Sequence, residues 1–310
     1  MDAIFVGIDV SKEQLDVHVR PSDQAFAVAR DGKGLEVLVD RLRALAPQLI
    51  AIEATGGFET IAAAALAGAA LPVAVVNPAQ VRHFARAVGK RAKTDPLDAE
   101  VIARFAEAVK PQARPVPDAQ ASLLGELVAR RRQIIEMMTA ERQRGQRAAV
   151  ARLRKGILRH VRMLEKELAD IDDEIGTLVR GSPAWREKED LMVTFPGVGN
   201  TLARILLAEM PELGSLSRRE IASLAGVAPF TRQSGRWRGK SMIAGGRAPV
   251  RAALYMAALS AISWNPPLRL FYQRLLAAGK PKMLALIAVA RKVLVILNAM
   301  LRDRKQWQPA

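Results

Sequence analysis

The chain has 310 residues, half of them hydrophobic; that length predicts two or three folded units and that apolar share excludes a disordered chain. Lysines and arginines number 47 against 31 acids, a net charge of +16 that points to a polyanionic partner, since basic side chains displace condensed counterions from nucleic acid. No cysteine is present and only three histidines, His18, His83 and His160, so disulfides and thiolate or histidine-rich metal sites are excluded and any metal is held by oxygen, which suits magnesium or manganese.

The first residues, Met1 to Val10, carry an acid at position 2 and none of the basic residues of a secretory signal, so a cytoplasmic protein is expected. Ile4 to Asp9 reads as a short apolar strand, Leu15 to Arg20 alternates as a second antiparallel strand, and Ala25 to Ala29 offers a third. Leu35 to Leu45 has helical periodicity. Leu49 to Glu53 is a buried-strand run cut off by Thr55-Gly56-Gly57, Phe58 to Ala70 is an alanine-rich helix, and Leu71 to Val76 is a strand closed by Asn77-Pro78. A last helix begins at Asp95-Pro96. This order predicts an α/β unit with a mixed sheet, a meander on one side and crossovers elsewhere.

Pro111, Pro115 and Pro117 make Lys110 to Asp118 a linker. From Ala119 to Val179 proline is absent and apolar residues recur at helical spacing, as a long helix or helical hairpin. Between Arg130 and Lys166 twelve basic residues, Arg130, Arg131 and Arg132 among them, face three glutamates. A self-contained coiled coil would mix its signs, so this segment is expected against nucleic acid; a solvated charged face is the plainer alternative. After Gly181-Ser182-Pro183, the turn Phe195-Pro196-Gly197-Val198-Gly199 precedes an apolar helix, Leu202 to Met210. It reads equally as a phosphate-holding helix-hairpin-helix turn and as an ordinary tight turn. Val250 to Ile262 and Met283 to Leu301 are further helices. No apolar run of membrane-spanning length is expected, and no membrane partner.

Two constellations carry chemistry. Asp9 ends the first strand and Glu53 the fourth, while Asp95 and Asp98 stand three apart at a helix start. In a ribonuclease-H-like sheet the first and fourth strands lie side by side, so the two strand-end acids are expected to meet at the sheet rim, and residues three apart on a helix share a face. Four such acids repel one another unless a cation joins them, and with one or two magnesium ions they form a clamp for displacement at a phosphodiester. Taken singly, Asp95 and Asp98 read better as a helix cap before Pro96 and Asp9 as a turn initiator; Glu53 is harder to dismiss in an apolar strand. Their joint order favours the metal reading.

The second constellation is Ala225-Gly226-Val227-Ala228-Pro229, then Gln233-Ser234-Gly235, Arg236, Arg238, Lys240 and Gly245-Gly246-Arg247. A serine among guanidiniums and glycine-permissive backbone suits attack on a phosphodiester, with the arginines on flanking phosphates. From the loop alone, a basic glycine-rich grip on DNA is the stronger reading.

These motifs, in this order, closely resemble the DEDD transposases of the insertion-sequence one-ten family, related to the Piv-type DNA invertases. The resemblance rests on Gly7-Ile8-Asp9-Val10-Ser11-Lys12, Glu53-Ala54-Thr55-Gly56-Gly57, Lys93-Thr94-Asp95-Pro96-Leu97-Asp98-Ala99, Pro196-Gly197-Val198-Gly199 and the two loops around Ser234. It runs on through Val250-Arg251 and Leu254-Tyr255-Met256-Ala257, and so spans essentially the whole chain. It implies a ribonuclease-H-like, RuvC-like domain over residues 1–112 whose acids are Asp9, Glu53, Asp95 and Asp98. It implies a basic coiled-coil segment over 113–182 that mediates assembly, and a mainly α-helical transposase domain over 183–310 whose catalytic serine is Ser234. It further implies magnesium or manganese as cofactor, DNA and a structured non-coding guide RNA as partners, and a homo-oligomer, dimer or tetramer. In it the acids of one protomer work near the serine of another, and strands are exchanged through a phosphoserine link. Arg130, Arg131, Arg132, Arg236, Arg238, Lys240 and Arg247 are the expected nucleic-acid contacts. Gly245-Gly246-Arg247 resembles one subgroup's variant, other members having a Lys-Arg-Gly arrangement.

Overall fold

The computed structural model describes residues 3–89, 95–113, 118–231, 233–234, 237–239 and 241–308, with backbone alone at 95–97, 233, 237 and 238. The chain divides into two compact units, Met1–Asp118 and Ala119–Ala310.

The first unit is built on a mixed five-stranded sheet. Strands β1 (Phe5–Val10), β2 (Gln14–Arg20) and β3 (Gln24–Ala29) form an antiparallel meander; β4 (Leu49–Glu53) and β5 (Val73–Val76) run parallel to β1, in the order β3-β2-β1-β4-β5. β1 and β4 are buried almost throughout, reading as continuous apolar runs because helices cover both faces. On one face Val6, Ile8, Val10, Ile50 and Ile52 pack with Leu38 and Leu42 of α1 (Gly32–Leu45) and Ala62, Ala63 and Leu66 of α2 (Glu59–Gly68). On the other, Phe5, Leu49, Ala51, Ala74 and Val76 meet Val81 of α3 (Pro78–Ala87) and Val101, Ile102, Phe105 and Ala106 of α4 (Asp95–Val109).

The helix α3 departs from the sequence expectation, which reads Asn77-Pro78 only as the end of a strand. Asn77 accepts a hydrogen bond from the Ala79 N–H at 2.8 Å and Pro78 occupies the first helical turn. That is the ordinary chemistry of a helix start, since proline's missing N–H is an orphan there anyway.

In the second unit the long helical segment is a hairpin. α5 (Ala119–Arg147) and α6 (Ala151–Gly181) are broken at residues 148–150 and share a core of Leu124, Val128, Ile134, Met138, Leu164, Ile171, Ile175 and Val179. Pro183 then opens α7 (Pro183–Val193). α8 (Asn200–Glu209), α9 (Arg218–Leu224), α10 (Ala248–Trp264), α11 (Pro266–Ala277) and α12 (Lys282–Asp303) complete the unit.

α12 corrects another expectation: it is long and apolar enough to cross a membrane. Here Ala285, Leu286, Val289, Ala290, Val293, Leu294 and Leu297 are buried, most of them in the core shared with α8, α9 and α10. Buried Asn298 in the same helix accepts from Gly214 N–H and donates to the Leu216 carbonyl, both at 2.8 Å. An apolar helix with a satisfied buried amide is a core helix of a packed protein.

Candidate functional site

The sheet register brings the strand-end acids together. β1 pairs with β4 in parallel from Phe5 opposite Leu49 to Ile8 opposite Ile52, so the next step sets Asp9 beside Glu53. Alternation puts Phe5, Gly7 and Asp9 on one face, with Leu49, Ala51 and Glu53, and that face carries α4. Asp9 and Glu53 are half-buried, and Asp9 Oδ1 accepts from the Val10 N–H at 3.0 Å.

Gly7 sets how closely α4 approaches. A Cβ on Gly7 would stand 2.2 Å from Ala103 N and 2.3 Å from the Ala99 carbonyl oxygen, so only glycine lets the helix backbone rest on the strand. The direction of α4 follows from its other contacts. Lys110 Nζ lies over the Phe5 ring, 5.8 Å from its centre, and Arg20, opposite Phe5 in the register, bonds Glu107 at 2.6 Å. Later turns of α4 therefore cover Phe5, and its first turn, with Asp95 and half-buried Asp98, lies toward the Asp9 end of the strand. The Glu107 hydrogen bond raises the Arg20 pKa against the opposing effect of burial, so the guanidinium side of this tie stays charged.

The loop after Glu53 is held by Glu59, which accepts the N–H groups of Thr55 and Gly57, both at 2.9 Å. Gly56 and Gly57 take φ of +62° and +101°, values that account for glycine at both positions. Asp16 is a fifth carboxylate that sequence reasoning does not single out. It is buried on β2 directly opposite Asp9, on the same face, and bonds the Gln14 amide at 2.9 Å. Its signal is a charged residue between the apolar positions Leu15 and Val17. Among the described residues no three acidic or histidine side chains are close enough to hold an ion together; the side chain of Asp95 lies outside them.

Ser234 is exposed and lies on a short β-hairpin. β6 (Pro229–Phe230) pairs with β9 (Met242–Ile243), and β7 (Gln233–Ser234) with β8 (Trp237–Arg238), Ser234 opposite Trp237. Gly235, Arg236 and Lys240 fall outside the described residues, as does the side chain of Arg238.

The expected phosphate contacts whose side chains are described also have protein partners. Arg247 bonds Glu212 through both guanidinium arms, at 2.6 and 2.8 Å, and also the Glu209 carbonyl. Arg130 pairs with Glu167 at 2.7 Å, Arg131 with Asp172 at 2.6 Å and Arg132 with Glu209 at 3.4 Å. The hairpin does mix its signs, between helices: Glu167 and Asp172 lie just beyond the Arg130–Lys166 stretch in sequence, and the antiparallel turn returns them to the arginines of α5. At the turn-proximal end, Arg152, Lys155, Arg159 and Arg162 are exposed and form no ion pair among the described residues.

The turn before α8 is tightly packed. Phe195 is fully buried and meets Trp307 edge-on at 4.7 Å, and Gly197, at φ +101°, would place a Cβ 2.6 Å from the Ala261 Cα.

Comparison with known proteins agrees with these motifs. The chain matches a family described as "Transposase", of the DEDD type named for IS110, over residues 6–150, and the "Transposase IS116/IS110/IS902 family" over residues 189–273. It is 29% identical to a pilin gene-inverting protein of Moraxella bovis, over 99% of this chain and 98% of that one. The pilin gene-inverting protein of Moraxella lacunata matches to the same extent. An uncharacterized 42 kDa protein of insertion element IS900 from Mycobacterium paratuberculosis is 34% identical over 48% of this chain and 39% of its own. With both of its units matched, this chain belongs to the IS110 family of transposases, enzymes that act on DNA.

Proposed function

We propose that the protein cuts and rejoins DNA strands for insertion-sequence mobility, with Asp9, Glu53, Asp95 and Asp98 as a metal-holding tetrad and Ser234 as the nucleophile. The observation that carries the reading is the meeting of the β1 end, the β4 end and the first turn of α4 on one face of one sheet. The strand order and the three-strand meander support a ribonuclease-H-like domain. A donor set made only of carboxylates fits a hard divalent ion, magnesium or manganese. When bound, such an ion stabilises charge on phosphodiester oxygens. The chain's own part is to fix the acids in place: β1 is hydrogen-bonded on both sides, and α4 lies on it too closely to slide.

In the serine step, Ser234 Oγ forms a bond to phosphorus as the bond from phosphorus to a deoxyribose oxygen breaks. The serine proton leaves to a base and the departing oxygen gains one. The phosphoserine link conserves the ester, so the reverse attack by a deoxyribose hydroxyl rejoins the strand without ATP. Arg236, Arg238 and Lys240 flank Ser234 in sequence and are assigned to phosphates. The exposed basic residues near the α5–α6 turn are assigned to nucleic acid in preference to the ion-paired Arg130, Arg131 and Arg132. The family resemblance supports a structured guide RNA, a homo-oligomer of two or four chains and a cytoplasmic location.

The test is a denaturing gel of the full chain with labelled target DNA in magnesium. A covalent adduct, mapped by mass spectrometry to Ser234, is the expected result. Free nicks without an adduct would identify a RuvC-like nuclease that uses water, and an adduct on another residue would overturn the serine assignment.

A further inference from the structure

The segment from Pro229 to Ile243 leaves the helical core of the second unit and returns to it. Its entry and exit turns touch backbone to backbone. Gly226, at φ +71°, would place a Cβ 2.3 Å from the Gly245 carbonyl oxygen, and Gly246, at φ +66°, would place one 2.2 Å from Gly226 N. The Arg247 N–H donates to the Leu224 carbonyl at 2.9 Å, and Arg251 Nη1 to the Gly245 carbonyl at 2.7 Å. Arg247 then locks the exit turn to the end of α8: its fork takes both carboxylate oxygens of Glu212, and Nη1 also takes the Glu209 carbonyl at 2.7 Å. Glu209 in turn meets Arg132 of α5.

We propose that Arg247 is a positioning residue: by clamping the Gly245–Gly246 turn to Glu212 it sets the pose of the hairpin that carries Ser234. The proposal rests on the reading of Ser234 as the nucleophile. Two-residue strands have little stability of their own, so the pose of this hairpin depends on how its base is held. A guanidinium engaged on both arms by a carboxylate, with a backbone carbonyl as third acceptor, makes a directional clamp that a lysine cannot reproduce. The same engagement removes Arg247 from phosphate binding.

The experiment compares Arg247→Ala, Glu212→Gln, Arg247→Lys and the exchanged pair Arg247→Glu with Glu212→Arg, all in the full chain. Three quantities are read: the single-turnover rate of adduct formation at saturating DNA, DNA affinity with its salt dependence, and hydrogen exchange of residues 229–243. Both Arg247→Ala and Glu212→Gln are expected to slow the adduct step by about a hundredfold, the cost of a misplacement of about 1 Å. Affinity and salt slope stay within about twofold of wild type, and exchange in 229–243 accelerates. Arg247→Lys leaves the step slow, and the exchanged pair recovers about tenfold of the loss.

Tighter DNA binding by Glu212→Gln, together with weaker binding by Arg247→Ala, would make Arg247 a phosphate ligand and overturn the proposal. Unchanged exchange in 229–243 would overturn the clamp, and accelerated exchange at an unchanged adduct rate would overturn its positioning role. Failure of the serine reading is seen separately, as a wild-type adduct that is absent or mapped elsewhere.

Discussion

Asp9 and Ser234 are held by opposite means. Asp9 stands at the end of a central strand, with β2 on one side, β4 on the other, and two apolar layers around the rest of the strand. Ser234 stands in a two-residue strand whose partner is another two-residue strand, among exposed neighbours such as Phe230 and Met242. Carboxylates proposed to share an ion need fixed mutual distances, and a buried ladder supplies them from many weak interactions at once. The nucleophile proposed at Ser234 needs exposure to meet a bulky duplex, and an exposed hairpin must take its order from its base.

The largest effects are expected from removing the proposed reactive groups. Ser234→Ala is expected to abolish adduct and recombined product, a loss of at least about a thousandfold, while nucleic-acid binding persists. Asp9→Asn and Glu53→Gln should abolish recombination with circular-dichroism melting close to wild type. Normal recombination by either acid variant in magnesium would break the comparison at its rigid end.

Next is Gly7→Ala. Its methyl would enter the α4 backbone, and the cost expected from urea unfolding is about 1–3 kcal/mol or more, the range for overpacking. Activity falls with it, because the first turn of α4 shifts from the rim. Gly56→Ala, with nothing within 4 Å of its Cβ, meets only the strain of its positive φ, so it should cost less.

Charge removal separates the two ends of the α5–α6 hairpin. Neutralising Arg152, Lys155, Arg159 and Arg162 should flatten the slope of log affinity against log salt, by about one unit for each phosphate left without its basic partner. Neutralising Arg130 and Arg131 should lower the melting temperature instead, because each is paired across the hairpin. Equal slopes from both sets would remove that distinction.

The smallest effect is at Ser217 and Glu220, which cap α9 reciprocally. The hydrogen bonds from Ser217 hold the Glu220 pKa below its ordinary value. Their contribution is therefore complete above the unfolded glutamate range and is lost as pH falls through the lower folded value. Thermal melts from neutral pH downward should show Glu220→Gln slightly less stable than wild type at neutral pH, with the gap closing in acid.

Local patterns are legible where local physics decides. The five strands lie within two residues of their expected bounds, since alternation and apolar runs mark them and glycine or proline ends them. Thr55-Gly56-Gly57 and Pro183 act as the breaks they resemble. Asn77-Pro78 is legible too, but as a helix start rather than only a strand end. The arginines of α5 escape a local reading for a different reason: their partners are 37 and 41 residues away, and a window of charge cannot see across an antiparallel turn.

By itself the sequence determined the five strands of the first unit, the long helical segment, the acids at strand ends and the family, because these are written in spacing and in motif order. Only the tertiary structure decided that Asp16 faces Asp9, that α12 is a core helix and that Arg247 grips Glu212. Each of these depends on which distant surfaces meet, and burial, register and ion pairing are properties of pairs of segments rather than of one.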